Sequence, residues 1–205
     1  MVRPRFAKLP QTQQDAILRA ALDEFAAHGF HDASLNRVIE VAGISKGSMY
    51  YYFDGKEDLY AHVARAELER LFVALGPVAI PTEADPDAFW ATLQNYYLRL
   101  MTSLAASPQL AALLRGWLAA SGNAALRQAQ QEMERAVVPW MEQVLAAGQG
   151  LGAVRTDLPS GLLITIVTGM GQAMDTWMLT QQPADTELPG LISALVGMIR
   201  RALKP

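Results

Sequence analysis

Gly43-Ile44-Ser45-Lys46-Gly47 has the G-x-S-x-G spacing of a hydrolase nucleophile elbow, a motif that needs a strand before the serine to strain its turn. Here a helical stripe precedes it, because Leu35, Val38, Ile39 and Ala42 recur at i, i+3, i+4 and i+7. Ser45 is therefore read as a helix cap, and catalysis is not expected. His28, His31 and His62 are scattered without paired acids at ligand spacing, and cysteine is absent, so neither a triad nor a metal or other cofactor is expected. Gly148, Gly150 and Ala153 match G-x-G-x-x-A but follow a helix rather than a strand, so they are read as a loop.

The residues that follow Ser45 offer recognition chemistry instead. Lys46, Gly47 and Ser48 lead into four consecutive aromatics, Tyr50, Tyr51, Tyr52 and Phe53. No helix buries four adjacent side chains on one face. Burying Met49 and Phe53, four apart, turns Lys46, Gly47, Tyr50 and Tyr51 outward. Hydroxyl-tipped rings, a lysine and a bare glycine backbone suit a DNA major groove, where rings meet thymine methyls and N–H and O–H groups meet phosphates.

Two short helices must position that surface. Ser34 can cap the first, Gly43 can close it in the left-handed conformation, and Ile44 can drop into the core. Ser45 then caps the second, a tight helix-turn-helix. Asp54 is placed to cap the next helix with Glu57 completing a capping box. Lys56 then stands at a helix N-terminus, where side chain and helix end both attract phosphate.

From about Thr12 to Val63 an alanine-rich helix, F-x-x-x-G-F, a cap, A-G-I-S, K-G, Y-Y-x-F and K-E-x-L follow in order at fixed spacing. This stretch resembles the N-terminal domain of the tetracycline-repressor (TetR) family of bacterial transcription regulators. The resemblance implies an all-α chain of about nine helices, with a three-helix DNA-binding head and a C-terminal effector-binding and dimerisation domain. It implies a ligand-responsive regulator, most often a repressor, that binds a palindromic operator as a dimer and is released by a small apolar or amphipathic effector. The DNA-facing set it implies is Ser34, Asn36, Arg37, Ser45, Lys46, Gly47, Ser48, Tyr50, Tyr51, Tyr52 and Lys56. Asn36 points toward the groove in the family pattern. Tyr52 stands where the family most often has histidine, which alters the phosphate contact usual there. The alternative is a helical ligand carrier or enzyme that does not bind DNA and whose helix-turn-helix is incidental; the outward Lys46, Tyr50 and Tyr51 speak against it.

With 51% apolar and 18% charged residues in 205, the chain can bury a substantial core. The net charge of −3 argues against nucleic acid until its distribution is considered: eight of seventeen bases and eight of twenty acids lie within residues 1–65, so the excess acid lies beyond the proposed head. The lack of cysteine fits a reducing cytoplasm. Arg3, Arg5 and Lys8 have no apolar run behind them, so no secretory signal is read there. The longest uncharged run, Leu158 to Met174, is 17 residues and too polar for a membrane span.

In chain order, residues 1–10 are read as a flexible arm, either a disordered terminus or a minor-groove arm. Residues 11–55 are the DNA-binding domain, with a first helix opened by Thr12 and Asp15 and closed by Gly29 and Phe30. Residues 56–75 are a connecting helix. Residues 76–205 are the effector-binding and dimerisation domain, starting at the linker Gly76 to Asp87. Its helices are expected at Asp87–Ala106, Pro108–Ala120, Asn123 or Ala124 to Ala147 with a kink or break at Pro139, Pro159–Thr180 and Leu188–Leu203.

This region holds all four tryptophans and much of the methionine. Trp90, Tyr97, Met101, Trp117, Met133, Trp140, Met170, Met174 and Trp177 are candidates for an adaptable apolar effector pocket, or else a plain helical core. Arg99 and Arg115 could supply an anion partner. Asp175 is the only charge between Leu158 and Ala184. It either faces a cationic ligand or is a paired acid at an interface. Gly169, Ala173, Ala194 and Gly197 permit close helix contact and mark the expected homodimer face.

Overall fold

The computed structural model describes residues 5–83, 85–119 and 122–205. Among the described residues there are nine α-helices and no strand: α1 (Gln11–Asp32), α2 (Leu35–Val41), α3 (Lys46–Tyr52), α4 (Lys56–Leu75), α5 (Pro86–Ala105), α6 (Pro108–Ala119), α7 (Ala124–Gly150), α8 (Ser160–Gln181) and α9 (Leu188–Leu203). The all-α class expected from the helical periodicity is the one found.

Two compact units divide the chain, and the cuts fall inside helices. The first unit runs to Arg70 and resumes over Ser107–Met133; the second comprises Leu71–Ala106 and Glu134–Pro205. Packing therefore draws the division elsewhere than the Gly76–Asp87 linker. The reason is that α6 lies along α1 and buries Leu110, Leu113 and Trp117.

In the first unit the α1 stripe of Ile17, Leu18, Ala21 and Phe25 is buried. The helix opens on Pro10, whose carbonyl accepts from Gln13 and Gln14. Asp15 does not cap it; that carboxylate pairs with Arg70 at 3.0 Å. Gly29 breaks the helix with φ of 70°, a conformation that costs glycine little. Tyr60 of α4 is fully buried. Its ring stacks on Trp117 at 5.9 Å and meets the Phe25 ring edge-on at 4.7 Å.

In the second unit α5 packs on α9. Its cap is Asp85, two residues earlier than read, accepting from the Asp87 and Ala88 N–H groups at 2.9 and 3.0 Å. The Trp90 indole donates to the Ala153 carbonyl at 3.2 Å. A Cβ on Gly148 would lie 2.7 Å from the Phe89 ring and from Val154, so only glycine allows this approach. Gly148 and Gly150 thus belong to the last turn of α7 rather than to a loop. α7 runs through Pro139 as one helix. Proline deprives the Arg135 carbonyl of its donor, but Arg135 is exposed and water can substitute.

Candidate nucleic-acid interface

The turn between α2 and α3 is built by four residues. The Ser34 hydroxyl accepts from the Arg37 N–H at 3.4 Å, capping α2. Gly43 takes φ of 65°, and the Ile44 N–H reaches the Ile39 carbonyl at 3.2 Å. The Ser45 hydroxyl accepts from the Ser48 N–H at 3.0 Å and lies 2.8 Å from the Ser48 hydroxyl. Ser45 is a cap. A short α3 is thereby fixed at its first turn.

At its other end α3 is anchored by Met49 and Phe53, each 1% exposed, while Tyr50 and Tyr51 are each 46% exposed. Lys46 and Gly47 are exposed as well. The helix therefore presents the outward face that its spacing predicts. Asn36 and Arg37 are exposed on α2, and Arg37 pairs with Glu40 at 2.8 Å. Such an exposed pair is weak enough for a phosphate to replace the glutamate.

Three expectations need correction. Lys56 is not a free phosphate ligand: its ammonium donates to the His31 carbonyl at 2.7 Å and the Ala33 carbonyl at 3.0 Å, and lies 5.1 Å from the Phe30 ring centre. It ties the start of α4 to the end of α1. Glu57 does not close a capping box; Asp58 accepts from the Asp54 N–H at 3.1 Å, because α4 starts late enough to move the reach-back residue by one.

The third concerns the arm. Arg3 lies outside the described residues. Residues 5–10 are held: Phe6 is 2% exposed in a short 3-10 turn, 4.9 Å from the Phe53 ring and 5.1 Å from His62. Tyr52 is half-buried and meets Phe6 edge-on at 6.1 Å. The Arg5 guanidinium sits 4.2 Å above the Tyr51 ring. Sequence reasoning places Arg5 among the bases of the arm that phosphates could meet but misses Phe6; the signal was a lone phenylalanine among prolines and bases.

His62 sits among aromatic rings, and burial lowers its pKa, with Asp58 and Glu69 opposing and Arg65 assisting. Beside it a hollow of about 380 Å³ is lined by polar groups of α4 and α7. These groups largely satisfy one another, as in Gln128 to Glu132 at 3.1 Å and Asn123 to Glu57 at 3.3 Å.

The effector candidates fall in both units. Trp117 is core of the first unit, stacked on Tyr60, and Met133 also belongs to that unit. Within the second unit Trp90 and Trp140 line an apolar groove of about 140 Å³ together with Leu93, Met141, Val144 and Val167. Met101 and Met174 are buried, Met170 is half-buried and Trp177 is exposed. Tyr97 donates its hydroxyl to Asp175 at 2.6 Å. Arg99 donates to the Leu75 carbonyl, while one Arg115 nitrogen is buried without a partner. Burial raises the Asp175 pKa, the Tyr97 hydrogen bond opposing. On the outer side of α8 and α9, Gly169, Ala173 and Ala194 are exposed and Gly197 half-exposed, flanked by exposed Leu162, Ile166, Trp177 and Met198.

No described helix is long and apolar enough to cross a membrane. Residues 17–63 match the model of bacterial regulatory proteins of the tetR family. The HTH-type transcriptional regulator RutR of Escherichia coli is 47% identical over 57 residues, 28% of this chain and 27% of that protein. The chain thus spans about a quarter of the length of the first curated relatives it matches. The HTH-type transcriptional repressor SCO4008 of Streptomyces coelicolor is 29% identical over 166 residues, covering 80% of this chain and 79% of that one. The crystal structure of FadR from Bacillus subtilis in complex with stearoyl-CoA superposes with a TM-score of 0.70 at 20% identity, covering 95% of this chain and 100% of that one. Over residues 17–63 the chain thus resembles the bacterial regulatory proteins of the tetR family, and its described helices share the fold of FadR.

Proposed function

We infer that the protein is a ligand-responsive transcriptional repressor that binds a palindromic operator as a homodimer. The observation that carries this reading is the outward face of α3, where Lys46, Gly47, Tyr50 and Tyr51 stand exposed on a helix pinned from behind by Met49 and Phe53. A monomeric carrier or enzyme gains nothing from such a surface. The exposed apolar stripe of α8, Leu162, Ile166, Gly169, Ala173 and Trp177, follows one helical face and supports pairing through α8 and α9.

A two-fold dimer brings two recognition helices to half-sites about one DNA turn, roughly 34 Å, apart. An effector that binds better to the form with the wrong spacing draws the population away from DNA, and the coupling is reciprocal. α4, whose residues divide between the two units, is the element suited to carry that coupling. The stearoyl-CoA complex of a protein with this fold supports an effector with a large apolar part.

A gel-shift with DNA from upstream of the protein's own gene tests the reading. A discrete shift that survives competition by excess random DNA is expected; the absence of any preference for that DNA would exclude it.

A further inference from the structure

The only charge on α8, Asp175, is partly buried and lies about two helical turns along the helix from Val167, which lines a groove that contains no polar side chain other than indoles. The groove, about 140 Å³, is close to the ~150 Å³ of an apolar cavity able to admit a benzene ring. Trp90 and Leu93 line it from α5, Ile164 and Val167 from α8. Tyr97 continues the first stripe, i, i+3, i+7; Gly171 and Asp175 continue the second, i, i+3, i+7, i+11. The hydrogen bond of 2.6 Å between Tyr97 and Asp175 joins the two stripes at their far end. Between groove and carboxylate stands Gly171, where an added Cβ would meet nothing within 4 Å. Open space therefore adjoins α8 on the way from the apolar groove to the acid.

A carboxylate has about four acceptor sites, and among the described residues the partner of Asp175 is Tyr97 alone. A partly buried carboxylate with one donor and no cation is incompletely satisfied. An ammonium placed on it supplies both donors and charge. An anion there would meet like charge.

We propose that the α5–α8 seam is a subsite for an arylalkylammonium ligand, its ring in the groove beside Trp90 and Trp140 and its ammonium on Asp175. This rests on the reading of the second unit as the effector-binding part and fixes the charge of the effector. The ring fills the groove, and a spacer of three or four carbons covers the helical turn, about 5.4 Å, from Leu93 to Tyr97.

The test uses the full chain and three probes with one body and three charges, 4-phenylbutylammonium, 4-phenylbutanoate and 4-phenylbutanol, titrated calorimetrically at pH 7. The ammonium should bind about ten- to a hundredfold tighter than the alcohol, the range for a charge-assisted hydrogen bond. The carboxylate should bind weakest. Asp175→Asn should reduce the ammonium to the affinity of the alcohol, and Gly171→Leu, which keeps the acid and fills the path, should weaken all three. Equal affinities, no binding by any probe, or an Asp175→Asn variant that keeps the ammonium preference would overturn the subsite and leave Asp175 an internally paired acid. A parallel gel-shift separates the two readings: the charge order with no release of DNA supports the subsite while refuting effector control, and specific DNA binding without the charge order does the reverse.

Discussion

The Tyr60 hydroxyl donates to the Leu113 carbonyl at 2.6 Å across the core of the first unit, and a Cβ added at Gly116 would fall 2.5 Å from that same oxygen. Hydrogen bond and glycine are thus two sides of one contact between α4 and α6. Tyr60→Phe should cost about 1 kcal/mol, the net worth of a buried hydrogen bond, and Gly116→Ala about 1–3 kcal/mol through overpacking. The pair should not be additive. Without the hydroxyl the new methyl has room, so the double variant should unfold at higher denaturant than Gly116→Ala alone. Simple addition of the two losses would mean that the helices move apart rather than press on Tyr60.

Lys56 holds two carbonyls at the end of α1, so its loss should be read in stability. Lys56→Ala is expected to lower the stability of the chain by about 1–3 kcal/mol, for charge-assisted bonds on a partly buried group, and its melting midpoint with it. Tyr51→Ala, on an exposed ring, should leave the midpoint nearly unchanged and reduce operator affinity more than affinity for random DNA. Melting curves and competition gel-shifts on both variants check this; a stable Lys56→Ala protein with a reduced salt slope would return Lys56 to the phosphate backbone.

The α8 face can be tested without touching the head. Ala173 is exposed between Ile166 and Trp177 on that face, so Ala173→Asp places a charge where a second copy is proposed to pack. Wild type should sediment at twice the chain mass at micromolar concentration, and the variant as a monomer with unchanged helix content. A wild-type monomer would remove the basis for two half-sites.

The helix-turn-helix was legible because each of its signals is local. Ser34, Gly43 and Ser45 act within a few residues of themselves, and Met49 with Phe53 fixes a face by spacing alone. What escaped reading depends on distant partners. Lys56 at a helix start reads as a phosphate ligand until the carbonyls of His31 and Ala33, more than twenty residues away, are seen to occupy it. Phe6 gives no periodic signal, yet the rings of Phe53 and His62 bury it. Trp117 has the composition of a pocket residue but stacks on Tyr60. An apolar side chain announces burial without saying in which core, so the assignment of α6 could not be taken from its sequence.

Asp175 gives the pH dependence a sign. Burial raises its pKa above the ordinary 3.8, the Tyr97 hydrogen bond opposing. A carboxyl raised on folding binds its proton more tightly in the native state. Its favourable contribution is complete below the unfolded pKa and is lost as pH rises through the folded one. Above the folded pKa the native chain carries a partly desolvated carboxylate that the unfolded chain solvates freely. His62 works in the other direction, because burial lowers its pKa from 6.5 and its contribution, present above that value, is lost on acidification. Only the difference between variant and wild type isolates Asp175. Asp175→Asn keeps an acceptor for Tyr97 and removes the charge, so it should melt above wild type at pH 7, with the gap closing as pH falls toward about 4. Melting curves of both proteins between pH 4 and 8 measure that gap; one that stays constant across the range would show that the native environment solvates Asp175 as well as water does.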